Sequence, residues 1–82
     1  MIYYVALPFT RLEDGLAPGD AVECPSGPAA IRRAEALAAN AANAGAVAFS
    51  RSGDPNLGDF ADAVILKGFG QVPDDFAASQ SA

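Results

Sequence analysis

The 82-residue chain contains no histidine and only one cysteine. Without histidine, the Ser-His and Cys-His nucleophile arrangements, the commonest zinc sites and the usual general base near neutral pH are all excluded. The single cysteine, Cys24, excludes an intramolecular disulfide and therefore the disulfide frameworks of small secreted domains. These absences favour a cytoplasmic protein that is not an enzyme and that binds no cofactor.

Positive charge is also scarce, since ten Asp and Glu residues stand against five Lys and Arg residues and the formal net charge is −5. Phosphate backbones and anionic lipids repel such a chain, so direct binding to nucleic acid or to a membrane is not expected. A basic protein surface would attract it. The N-terminal apolar run is interrupted at Pro8 and Arg11, so it predicts neither a signal peptide nor a membrane span.

The hydrophobic pattern predicts a single domain over residues 1–72 and a flexible C-terminal tail over 73–82. Four strands are predicted from runs of β-forming residues bounded by turn residues: Ile2–Phe9, Asp20–Cys24, Ala46–Arg51, and Phe60 or Asp62 to Phe69. The first strand is apolar on both faces, which is typical of the middle of a sheet. A hairpin loop over 10–19 is expected to join it to the second strand.

One helix is predicted between the second and third strands. Ser26 stands at the N-cap position with Pro28 in the first turn, and apolar residues, most of them alanine, recur at helical spacing from Ala30 to Ala41. The helix is expected to run to about Ala44. Gly45 then stands where a left-handed terminator belongs. The expected fold is α+β: a four-stranded, mainly antiparallel sheet, in the order strand-strand-helix-strand-strand, with the alanine-rich helix packed closely on one face.

The core is expected from the large apolar side chains rather than from the many alanines. Because one helix covers only one face of the sheet, the other face is expected to expose apolar side chains from this set: Ile2, Tyr4, Ala6, Ala63 and Ile65. A continuous apolar surface is normally a contact surface. The pattern therefore predicts a homodimer or an obligate complex with a protein partner.

The motifs that could carry chemistry do not match their templates. The segment 54–62 alternates Asp and Asn as calcium loops do, but Gly58 stands fifth instead of sixth and Ile65 stands where the bidentate Glu belongs. A solvated hairpin loop is the preferred interpretation. No helix is predicted after Gly68-Phe69-Gly70, so this segment is interpreted as a strand end, and Cys24 as a buried small hydrophobe. No catalytic residue, metal site or cofactor site is predicted.

In size, acidity and Ala- and Gly-rich composition, the chain resembles small proteins of bacteria with GC-rich genomes and of their mobile elements. Anti-CRISPR inhibitors are similar in size and charge, and several of them occupy the basic surface that a nuclease complex offers to nucleic acid. The resemblance covers bulk properties and no motif, so it transfers no residue role. It implies a protein-binding module that acts as an acidic inhibitor or regulator of a nucleic-acid-binding protein complex.

The candidate partner-binding residues combine carboxylates, which could imitate a run of phosphates, with apolar residues of the uncovered sheet face. They are Glu13, Asp14, Asp59, Asp62, Tyr4 and Ile65. Two alternatives stay open. One is a self-associating housekeeping domain that binds a small ligand or a partner through its open sheet face. The other is a small enzyme whose site lies across a dimer interface and uses Tyr, Arg and Asp side chains.

Overall fold

One antiparallel sheet and one helix make up the part of the chain that the computed structural model describes, residues 2–54, 59–60 and 63–73. The elements in chain order are β1 (Ile2–Leu12), β2 (Gly15–Pro18), β3 (Val22–Cys24), α1 (Gly27–Ala39), β4 (Gly45–Asp54), β5 (Asp59–Phe60) and β6 (Val64–Gly70). Each of the strand pairs is antiparallel. The predicted α+β class, with one helix packed on a sheet, is confirmed.

β1 lies inside the sheet because both of its edges are paired. One edge carries β3 opposite residues 4–6 and β2 opposite residues 9–12, while the other edge carries β4. β4 pairs in turn with β6 and β5. The predicted four strands therefore correspond to four positions in the sheet, but two strands share each outer position.

Most of the loop predicted over 10–19 is strand. β1 continues to Leu12, the turn consists of Glu13 and Asp14, and the chain returns along β1 as β2. Gly15, which pairs with Leu12 directly after the turn, has a φ of 148°, a conformation that side chains disfavour. A two-residue turn with glycine beside it explains why the chain reverses sooner than the sequence suggested.

The predicted start of the helix is confirmed and its predicted end is wrong. The Oγ of Ser26 accepts a hydrogen bond at 3.2 Å from the backbone N–H three residues later, as an N-cap does. The helix ends at Ala39 rather than near Ala44, because Asn40 turns to an extended backbone and its side chain caps the following turn. Gly45 is not a terminator, since it begins β4.

Alanine, rather than the large apolar residues, makes the contact between helix and sheet. The fully buried alanines form one group, here called the alanine cluster: Ala6, Ala30, Ala34, Ala46 and Ala48. Larger side chains, among them Leu37 and the predicted core residue Cys24, pack around this cluster. The close helix packing predicted from the alanine stripe is confirmed. The expected core of large side chains is confirmed at Phe9 and Val47, which are buried, and wrong at Ile2 and Val64, which are 60% exposed.

The helix covers the face of β1 that carries Tyr4 and Ala6. Ala6 belongs to the alanine cluster, and Tyr4 packs against it. Successive residues of a strand point to opposite faces, so the odd-numbered residues from Tyr3 to Phe9 face away from the helix. The prediction that Tyr4 and Ala6 lie on the uncovered face is therefore wrong. Both faces of β1 are apolar, and the sequence of the strand does not say which one the helix takes.

A β-bulge in β6 decides which of its side chains lie on which face. Ala48 pairs with Lys67 but Phe49 pairs with Ile65, so Leu66 is an extra residue in the strand. Leu66 packs against the alanine cluster. Ile65 lies across from Phe49 on the face away from the helix.

Candidate functional site

A shallow groove lies on the sheet face away from the helix. It encloses about 420 Å³ and is open to solvent. The lining residues come from β1, from β3 and the residue before it, and from β4: Tyr3, Val5, Ala21, Glu23, Phe49 and Arg51. This surface is called the sheet groove below.

Strand pairing assembles the sheet groove around β1. Val5 pairs with Glu23 on one side and with Phe49 on the other, while Tyr3 pairs with Arg51. Directly opposite residues of antiparallel strands have Cβ atoms about 4.5–5.5 Å apart and point to the same face. The half-buried side chains of Tyr3, Val5 and Phe49 therefore form a continuous apolar floor.

Opposite charges stand on the two sides of this floor. Glu23 and Arg51 are both exposed, and β1 runs between them. They lie on the strands to either side of β1, and the β1 residues with which they pair, Val5 and Tyr3, are two positions apart. At the usual spacing of strands and residues, their Cα atoms are about 12 Å apart. Arg51 already has an interaction within the chain, and the five donors of a guanidinium can serve more than one acceptor.

Carboxylates follow the edge of the sheet that carries β2 and β3. Glu13 and Asp14 lie in the β1–β2 turn, Asp20 lies between β2 and β3, and Glu23 lies in β3, all of them exposed. Because β2 and β3 pair with the same edge of β1, these residues border the same side of the sheet. They are called the acidic edge. Glu23 belongs to both the acidic edge and the sheet groove.

Tyr4 and Ile65, predicted to share a surface, lie on opposite faces of the sheet. Tyr4 packs against the alanine cluster below the start of α1, and Ile65 lies beside Phe49. The aromatic residues of the groove, Tyr3 and Phe49, were not among the predicted site residues. Their alternation along the strands was visible in the sequence, but it was equally consistent with a face buried under the helix.

Of the predicted acidic site residues, Glu13 and Asp14 lie together at one end of the acidic edge. Asp59 belongs to β5, but its side chain falls outside the described part of the chain, as does the whole of Asp62. Most of the 54–62 segment considered for calcium and the tail from residue 74 onward also lie outside the described residues. Within residues 2–54, 59–60 and 63–73, no group of three or more His, Cys, Asp or Glu side chains is placed to hold a metal.

A second groove, of about 480 Å³, lies between the loop after α1 and the end of β6. Its polar groups bind one another: Arg11 donates to the side-chain oxygen of Gln71, and the backbone N–H of Gln71 donates to the carbonyl of Ala44 at 3.1 Å. Asn43 donates from its side chain to the carbonyl of Leu37 at 2.9 Å, which holds the loop to the helix. These contacts give the second groove a structural role.

The sheet groove is suited to contact with a macromolecule. Tyr, Phe and Arg are enriched in protein interfaces, whereas small-molecule sites enclose most of their ligand and this groove is shallow.

No helix in the described part of the chain is long and apolar enough to cross a membrane. No protein-family model, curated protein or solved structure matches the chain.

Proposed function

We propose that the protein is a non-catalytic protein-binding module that contacts its partner through the sheet groove. The observation that carries the proposal is the position of Glu23, which joins the apolar floor of the groove to the acidic edge. Tyr3, Val5 and Phe49 offer apolar area to bury, and charged side chains stand around them. An apolar centre with a polar rim is the usual anatomy of a protein interface.

The partner that fits the acidic edge is a protein with a basic surface. A net charge of −5 speeds the encounter with a positive surface and opposes binding to nucleic acid itself. Protein surfaces that bind nucleic acid carry clustered Lys and Arg. We therefore propose a nucleic-acid-binding protein complex as the partner, with this chain as its inhibitor or regulator.

Site-specific photocrosslinking tests the proposal. A benzophenone amino acid replaces Tyr3 in one variant and Ala36, on the exposed face of α1, in the control. In a lysate of cells that naturally produce the protein, the groove variant is expected to capture a partner that the Ala36 variant does not. Adding Phe49→Ala or raising the salt concentration is expected to reduce the capture. Equal capture from both positions would contradict the proposal.

Self-association through the same groove is a second candidate. The observation in its favour is the row of Val5, Phe49 and Ile65, which strand pairing places side by side on one face. Equilibrium sedimentation separates the two candidates. A dimer that Phe49→Glu dissociates supports self-association, and a monomer at high micromolar concentration supports a different partner.

A further inference from the structure

The charges of the sheet groove specify the kind of segment that fits it. We infer that the groove takes an extended segment of the partner. The segment has Lys or Arg at its first position, a large apolar residue at its third position and Asp or Glu at its fifth position. The same order of residues in the opposite chain direction also fits. The inference rests on the proposed function and adds the chemistry of the bound segment.

The spacing supports this pattern. The Cα atoms of Glu23 and Arg51 lie about 12 Å apart, and positions i and i+4 of an extended chain lie about 13 Å apart with i+2 on the same side. The midpoint between Glu23 and Arg51 falls over Tyr3 and Val5, because Glu23 pairs with Val5 and Arg51 pairs with Tyr3. The middle side chain of the segment therefore meets the apolar floor. In a helix, i and i+4 are only about 6 Å apart.

The charge order favours a peptide over a nucleic acid strand. The basic residue of the segment faces Glu23, on the side of the acidic edge. The acidic residue faces Arg51, whose guanidinium can donate two parallel hydrogen bonds to its carboxylate. Bases could stack on Tyr3 and Phe49, but the phosphates of the same strand would meet Glu23 and the acidic edge. Only a segment with both charges matches both ends.

A titration of the ¹⁵N-labelled full chain with synthetic peptides, followed by NMR, tests the inference. The matched peptide contains Arg-Thr-Leu-Thr-Asp. The controls contain Arg-Thr-Leu-Thr-Arg, Asp-Thr-Leu-Thr-Asp, or Arg-Leu-Asp, whose charges stand too close together. The matched peptide is expected to shift the amide signals of Tyr3, Val5 and Phe49. It is expected to bind about two- to fivefold more tightly than each control, as one exposed ion pair allows.

Charge-swap variants distinguish a change in specificity from a loss of folding, because each variant is expected to gain binding to a different peptide. Glu23→Arg is expected to prefer the peptide with two Asp residues, and Arg51→Glu the peptide with two Arg residues. Both positions are exposed, so neither change buries a charge. Glu35→Arg, on the exposed face of α1, is the matched control and is expected to leave the original preference unchanged.

Equal binding of all four peptides, or preferences that ignore the swaps, would overturn the inference. So would an eight-nucleotide oligothymidylate that shifts the same amides at a lower concentration than the matched peptide. A photocrosslinked partner whose contact segment lacks the charge pattern would overturn the inference and leave the proposed function standing. If the Tyr3 crosslinker captures nothing, the proposed function fails as well.

Discussion

Gly45 and Gly70 face each other as paired residues of β4 and β6, and neither position has room for a side chain. A Cβ atom at Gly45 would overlap the backbone of Gln71, and one at Gly70 would lie 2.7 Å from the carbonyl oxygen of Ala44. Gly70 also has a φ of 66°, in the left-handed region. At this end of the sheet, the backbones around Gly45 and Gly70 are therefore in direct contact.

Gly45→Ala is therefore expected to lower the free energy of unfolding by about 2–3 kcal/mol, because the backbone must move to admit the methyl group. Urea denaturation measures the change. The control is Gly27→Ala, whose Cβ would meet Leu66 at 3.5 Å, an ordinary contact. Since alanine favours a helix, this control is expected to leave stability equal or slightly higher. Equal unfolding midpoints for the two variants would contradict the close approach.

A larger side chain at the alanine cluster should force the helix away from the sheet. Ala34→Leu is expected to cost about 1–3 kcal/mol of stability, because Ala34 is fully buried. Ala36→Leu makes the same change two residues away on the exposed face and is expected to stay within about 0.5 kcal/mol of the wild type. Thermal denaturation compares them. Similar melting temperatures would show that the alanines do not set the distance between helix and sheet.

The N-cap gives a local prediction. Ser26→Ala is expected to cost about 1 kcal/mol, because a backbone N–H in the first turn of α1 loses its acceptor. Ser26→Asp supplies another acceptor and is expected to retain most of the stability. Ser52→Ala, at an exposed position of β4, is the matched control. Circular dichroism in urea gives the values, and a loss at Ser52 as large as that at Ser26 would argue against the cap.

Cys24 is expected to act as a packing residue. It lies half-buried beside the alanine cluster, and its thiol contacts the carbonyl oxygen of Val22 at 3.6 Å. Cys24→Ala is expected to cost about 1 kcal/mol through lost packing. A metal chelator is expected to leave the melting temperature unchanged. A fall in the melting temperature on addition of the chelator would instead support the interpretation of the 54–62 segment as a calcium loop.

Local features of the fold could be predicted from the sequence. Ser26 marks the helix start because an N-cap depends on a few adjacent residues, and the alanine stripe of α1 follows from helical spacing alone. The central position of β1 follows from its two apolar faces. Those same two faces explain why the groove was missed: Tyr3 and Tyr4 are adjacent aromatic residues, and only tertiary packing decides which of them the helix covers.

The bulge at Leu66 is the second feature that the sequence could not supply. Strict alternation would put Ile65 and Lys67 on one face, but the bulge separates them by shifting the register against β4. Gly68, directly after Lys67, is compatible with a bulge in this strand, but it does not specify which residue is the extra one. In the structure that residue is Leu66, which packs beside the alanine cluster. The position of Ile65 beside Phe49 therefore depends on packing between elements far apart in the chain.

The affinity for the partner captured at Tyr3, measured at low and at moderate salt, tests the central claim most directly. The account predicts that Phe49→Ala weakens binding about tenfold or more, as the loss of a central aromatic contact does. It predicts that charge reversal at Glu13, Asp14 and Glu23 slows association and flattens the salt dependence. Leu12→Ala, at a residue that is 52% exposed and outside the groove, should change neither. Binding that is indifferent to Phe49→Ala, to the reversals and to salt would show that neither the sheet groove nor the acidic edge is the contact surface.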